Sequence, residues 1–237
     1  MKKYLKMVRG SKSYINYLKK IGCTIGDDVI IYRPLSSVFI DETRPWLIEI
    51  GNHVRITSGV TILTHDYSWS VLKVLNGEIL GAAKKVKIGD NVFIGVKSTI
   101  MGGVSIGNNV VIGANSLVTK DIPDNVVVAG NPARVIYSIE EYRKKRLSKQ
   151  LEEAIELTIE FYKKYNKWPN KEKLREFIWL FEDRDSDITK DPVFLEIGSL
   201  GNNFDKTKEE FYKSNGKFKN FDAFINHCKK VYRRNDN

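Results

Sequence analysis

The sequence predicts a mainly β fold, a solenoid of short parallel strands, followed by an α-helical region. Three observations carry this. Ile88, Ile94, Ile100, Ile106, Ile112 and Val118 recur every six residues. Gly89, Gly95, Gly107 and Gly113 follow four of these anchors, and Val92, Ser98, Val104, Val110 and Ser116 stand four places after an anchor. Beyond residue 137 the period changes to that of helices. A period of six fits neither an amphipathic helix nor a plain alternating strand. It fits a short strand plus a corner, three of which make an 18-residue circuit. Circuits stack by strand pairing at roughly 4.8 Å each. The inward anchors then build an apolar column that no single repeat could bury.

In chain order, residues 1–20 read as a basic amphipathic helix with Leu5, Val8, Tyr14, Ile15 and Leu18 on one face. Such a helix caps the open edge of the first circuit. The solenoid occupies 21–137. Ile25, Ile31, Ile50, Ile56 and Ile62 hold the six-residue phase, with Val29, Val54 and Val60 at the offset of four. The phase breaks once, because Ile62 and Ile88 are 26 residues apart. A loop, 66–87, is therefore inserted there, and such a loop is a functional candidate. Residues 138–237 are mainly helical. Ser138 to Glu141 reads as a capping box opening a helix that runs to about Tyr165. Trp168-Pro169-Asn170 ends that helix and starts another containing Leu174, Phe177, Ile178 and Phe181. Phe221, Phe224, Ile225, Cys228 and Tyr232 mark a last helix, with Cys228 in the core.

Composition narrows the functional classes. Eleven Phe, eleven Tyr and four Trp in 237 residues exclude disorder over most of the length. No apolar run reaches the length of a membrane span. Cys23 and Cys228 alone cannot build a disulfide framework or a cysteine zinc site. The net charge of +10 is local: residues 1–20 hold seven basic residues and no acid, whereas 21–137 hold ten of each sign. Lys12, Lys19 and Lys20 interrupt any signal-peptide core, so the chain reads as unprocessed and cytoplasmic. The basic helix also suits the inner face of an anionic membrane. No nucleic-acid module is present in the pattern, and a noncatalytic scaffold leaves the site features below unexplained.

By register, His65 points outward at the base of the inserted loop, where a general base would sit. His53 has the same phase but lies two faces away, and His227 falls in the helical region. A zinc hydratase site needs about three His ligands, so a metal enzyme is disfavoured. Tyr67 and Trp69 either stack on a sugar ring or anchor the loop.

Residues 88–136, IGDNVFIGVKSTIMGGVSIGNNVVIGANSLVTKDIPDNVVVAGNPARVI, resemble the hexapeptide-repeat acyltransferases. The likeness is to the maltose and galactoside O-acetyltransferases and their capsular-polysaccharide relatives. It extends over about 21–137, strongest at 50–66 and 86–136. The resemblance implies a left-handed parallel β-helix, acetyl-CoA as donor, no metal, and a homotrimer with CoA between subunits. It implies that His65 deprotonates a saccharide hydroxyl and that Glu78, in Asn76-Gly77-Glu78, steadies the imidazole. It implies further that the Val96 amide meets the oxyanion, that Ala114 meets the pantetheine arm, and that Thr119, Lys120 and Arg134 meet the phosphates. Phe93 would line the CoA groove or a subunit contact. Asp41 and Glu42 lie near the circuit that relatives use for the acceptor, and Asp41 is placed there. An amine of an amino sugar, free or nucleotide-linked, is the alternative acceptor.

Overall fold

The computed structural model describes residues 2–32, 37–201 and 203–235, the side chains of 2–9 and 235 excepted. The chain divides into two compact units, residues 1–143 and 144–237.

In the first unit, α1 (Lys2–Ile21) precedes three parallel sheets. Each circuit of the chain adds one strand to each sheet. The first circuit gives β1 (Thr24–Ile25), β2 (Ile30–Ile31) and β3 (Phe39–Ile40). The second gives β4 (Ile48–Ile50), β5 (Arg55–Ile56) and β6 (Thr61–Ile62), after which β7 (His65–Asp66), α2 (Trp69–Asn76) and β8 (Ala82–Ala83) leave the stack. The third gives β9 (Val86–Ile88), β10 (Val92–Ile94) and β11 (Thr99–Ile100), and the fourth β12 (Ser105–Ile106), β13 (Val110–Ile112) and β14 (Leu117–Val118). Then β15 (Val126–Gly130) extends the second sheet, and β16 (Ala133–Ser138) pairs antiparallel with it. The sheets run β1-β4-β9-β12, β2-β5-β10-β13-β15-β16 and β3-β6-β11-β14.

The register follows the repeat. Ile50 pairs with Ile88, Ile56 with Ile94 and Ile62 with Ile100, so the insertion leaves the stack undisturbed. All six anchors from Ile88 to Val118 are buried, as are the five small or β-branched residues at the offset of four. Two inward positions per corner thus build one continuous core. Leu18, Ile15 and Tyr14 of α1 join that core, and the Ser11 hydroxyl accepts the Ile31 N–H at 2.8 Å. Leu5 and Val8 lie outside the described side chains.

Every corner from the first sheet to the second uses one three-residue device. Gly51, Gly89 and Gly107 let successive backbones approach closely. The next residue's side chain bonds to the N–H one circuit earlier: Asn52 to Asp27, Asp90 to Asn52, Asn108 to Asp90 and Asp124 to Asn108, at 2.6 to 2.8 Å. The third residue, Asp28, His53, Asn91, Asn109 or Asn125, takes left-handed φ between 51° and 61°. Asn91, Asn109 and Asn125 also bond in a ladder at 2.8 Å per step.

The second unit contains the greater part of α3 (Ile139–Tyr165), then α4 (Pro192–Gly198), α5 (Phe204–Lys213) and α6 (Phe221–Asn235). The capping box forms: Ser138 Oγ accepts Glu141 N–H at 3.2 Å, and the Glu141 carboxylate accepts Ser138 N–H at 2.7 Å. One expectation is corrected. Residues Lys171–Leu180 form a 3-10 helix, interrupted at Leu174, in place of an α-helix. Leu174 and Ile178 stay buried on the way round, so the tighter winding keeps their apolar contacts. Helices α4 and α5 were not expected. Phe181, Phe194, Phe211, Phe224 and Cys228 are the centre of this unit's core.

Candidate active site

The third sheet returns to the first through a corner that differs in every circuit. In the first it is Asp41 to Leu47, in the second the insertion, in the third Met101 to Val104, and in the fourth Thr119 to Asp121. These corners stack into one edge. His65 sits on it, between the corners of the first and third circuits, where β7 and β8 pair antiparallel and pin the base of the loop.

The Asp41 carboxylate is buried there and collects hydrogen bonds. Thr43 donates its N–H at 3.0 Å and its hydroxyl at 2.6 Å. Thr64 donates its N–H at 3.2 Å and its hydroxyl at 2.5 Å. His65 Nδ1 lies 2.5 Å from Asp41 Oδ2. Burial alone would push the Asp41 carboxyl up, but the bonds from Thr43, Thr64 and His65 outweigh it and hold it well below the usual carboxylate range. Asp41 is therefore an anion that can only accept. His65 Nδ1 must then donate in this bond, which in the neutral ring puts the lone pair on Nε2. Among the described residues Nε2 makes no hydrogen bond. His65 lines a cleft of about 210 Å³ with Thr64, Asp66, Lys84, Met101 and Gly102. A Cβ on Gly102 would come within 3.1 Å of the Thr64 carbonyl oxygen, so a bare backbone lets the third circuit close on His65. The arrangement is that of an oriented general base.

Two expectations change. Glu78 was the proposed partner of His65, but it is exposed on the segment beyond α2 and makes no bond to the imidazole. Gly77, with φ 80°, ends α2 and turns the chain away there. The carboxylate beside the imidazole is that of Asp41. Asp41 was also expected to touch the acceptor; its carboxylate is buried, at 1 % exposure, and bonded to Thr43, Thr64 and His65. The signal missed was the register: Phe39-Ile40 pairs with Thr61-Ile62, which sets Asp41 beside Thr64-His65. Asp66 is occupied by Ser68, through its N–H and hydroxyl. The insertion also contains a helix that was not foreseen. Tyr67, exposed, and Trp69, half-buried, contact each other at 4.7 Å between centroids.

The remaining residues fall on two edges and a terminal strand. Thr119 and Lys120 are exposed on the His65 edge, two circuits on, hence about 10 Å along the stack. Val96 and Ala114 lie on a different edge, at the corners from the second sheet to the third. The Val96 carbonyl accepts Asn115 N–H at 2.8 Å, while its own N–H has no partner among the described residues. Arg134 is exposed on β16 and bonds the Ala133 carbonyl at 2.9 Å. Phe93 is exposed on β10 beside Arg55. His53, at another corner, bonds Asp28 at 2.6 Å. His227 packs on Phe218 in the second unit. Among the described residues no group of three or more His, Cys, Asp or Glu is placed to hold a metal ion, and no helix is long and apolar enough to cross a membrane.

Comparison with known proteins adds to this geometry. The family "Hexapeptide repeat of succinyl-transferase" matches residues 85–120. Protein CapG of Staphylococcus aureus is 47% identical over 148 residues, which are 62% of this chain and 84% of that protein. Galactoside O-acetyltransferase of Escherichia coli strain K12 is 45% identical over 110 residues, 46% of this chain and 51% of the enzyme, so the chain spans about half of that relative. A solved galactoside acetyltransferase in complex with coenzyme A is similar at 31% identity, over 54% of this chain and 71% of its own, with a TM-score of 0.41.

Proposed function

The chain belongs to the hexapeptide-repeat acetyltransferases, and we propose that it transfers the acetyl group of acetyl-CoA to a hydroxyl of a saccharide. The saccharide is a surface or capsular polysaccharide, or its precursor, met in the cytoplasm. The observation that carries this reading is the His65–Asp41 pair, whose Nε2 is left as a base at a cleft.

In this mechanism His65 Nε2 takes the acceptor's hydroxyl proton as the oxygen attacks the thioester carbonyl. The carbonyl oxygen becomes an oxyanion and accepts a hydrogen bond from the unpartnered Val96 N–H. Collapse breaks the C–S bond, and the imidazolium returns the proton to the departing sulfur. The products are an acetyl ester and CoA with a free thiol. Asp41 holds the imidazole and stabilises its cation without taking the proton. Thr119, Lys120 and Arg134 suit the CoA phosphates, the last two as cations.

His65 and Val96 lie on different edges of one chain, so one chain cannot apply both to one carbonyl. We infer that the site is completed by a second copy, whose Val96–Ala114 edge faces the His65 edge of the first. A homotrimer of left-handed β-helices closes such contacts by rotation.

The test is acetyl transfer from labelled acetyl-CoA to a panel of sugars, amino sugars and oligosaccharide repeat units. An alkali-labile ester product supports the reading. An alkali-stable amide would move the function to N-acetylation, and no transfer to any saccharide would overturn it.

A further inference from the structure

Helix α1 has two chemically different faces. Ser11, Tyr14, Ile15 and Leu18 are buried on the first circuit, while Lys12, Ser13, Asn16, Tyr17, Lys19 and Lys20 face solvent. Lys12, Lys19 and Lys20 have no carboxylate partner among the described residues. The sequence before them adds Lys2, Lys3, Lys6 and Arg9, and the first acid of the chain is Asp27. The core is served by the buried face, so the cations are not needed to hold the cap in place.

We propose that the solvent face of α1 docks on an anionic lipid bilayer. Seven cations within twenty residues, with no acid among them, give the charge complementarity. Tyr4, Leu5, Met7 and Val8 interleave with the cations at the start of the helix, the composition of a segment that lies in a headgroup layer. A nucleic acid fits less well. It gains affinity from each phosphate neutralised along its length, and residues 21–137 offer equal numbers of basic and acidic groups. A bilayer needs only the patch that α1 presents.

The docked face borders the catalytic edge. Tyr14 and Tyr17 donate their hydroxyls to the Glu42 carboxylate at 3.0 and 2.9 Å. Glu42 adjoins Asp41, which holds His65. A saccharide carried on a lipid would therefore reach His65 at headgroup level, a consequence that rests on the proposed function.

The test is co-sedimentation of the full chain with phosphatidylcholine vesicles, and with vesicles containing about 30% phosphatidylglycerol, at about 0.1 M and 0.5 M salt. Binding is expected to the anionic vesicles only, and to be lost at high salt. The triple variant Lys12→Gln/Lys19→Gln/Lys20→Gln should bind about a hundredfold more weakly, and Lys12→Gln alone about fivefold. Circular dichroism should be unchanged in both, because all three side chains are exposed. Equal partition onto both vesicle types, undiminished binding by the folded variants, or preferential capture by duplex DNA at the same salt would overturn the proposal. The assay contains no acetyl donor, so it stands or falls separately from the catalytic reading.

Discussion

Asp41 and Asn109 show what single residues do in this fold. Asp41 ties Thr43, Thr64 and His65 together. Replacing His65 with Ala should lower turnover by ~10²-fold or more while CoA binding persists. Asp41→Asn should cost between about 10² and 10⁴ in kcat, with KM for acetyl-CoA little changed, because the amide no longer enforces the Nδ1–H tautomer. Full activity in either variant would remove the mechanism. The depressed Asp41 pKa also gives a stability with a definite sign. It is complete above the unfolded value of about 3.9 and is lost as pH falls through the lower folded value. Urea midpoints taken from pH 7 downward should show that loss in the wild type, and a shallower one in Asp41→Asn. Asn109 combines left-handed φ with two ladder bonds. Asn109→Ala should cost about 1–3 kcal/mol, and Asn109→Gly less, because Gly keeps the backbone and loses only the ladder. Equal midpoints for the two variants would mean that the left-handed backbone costs nothing. The strings Gly89-Asp90-Asn91 and Gly107-Asn108-Asn109 carried this ladder in plain view. The other two positions act on neighbours 16 to 38 residues away, so no local window shows their role.

Among the elements, α1 and the inserted loop contrast. The basic helix was legible from its apolar stripe, and its burial on the first circuit follows from the need to cover an open edge. Ser11 could not be foreseen as part of that contact, since its partner is the N–H of Ile31. Ser11→Ala should leave that buried N–H unpaired and cost about 1–3 kcal/mol in denaturant unfolding. An unchanged midpoint would show that the bond contributes nothing. The loop was legible as a break in period, but its interior was not. Helix α2 buries no residue, and Val71, Val74, Leu75 and Ile79 are exposed. Among the described residues, the one ring contact of α2 is that of Trp69 with Tyr67 beside it. The 3-10 segment Lys171–Leu180 was read as an α-helix because its apolar spacing suits either winding.

At the scale of the whole molecule, the separation of Val96 from His65 is the fact with most consequence. A site shared between copies predicts complementation. Subunits carrying His65→Ala, co-assembled with subunits carrying Val96→Pro, should regain part of the wild-type rate, because some interfaces combine an intact His65 with an intact Val96 amide. Mixtures no more active than the separate variants would place the whole site in one chain.

The sequence by itself determined the stack, the helical stripe of α1 and the place of the insertion, and it pointed to His65 as the proposed base. Each is a local pattern: a period of six, a helical stripe, a break in phase with a histidine at its base. The tertiary structure alone decided that Asp41 meets His65 and that Val96 lies on another edge. Asp41 is 24 residues from His65, and what brings them together is the pairing of β3 with β6 across successive circuits. Stacking converts a distance of one circuit along the chain into contact in space. It therefore selects partners that no local window contains.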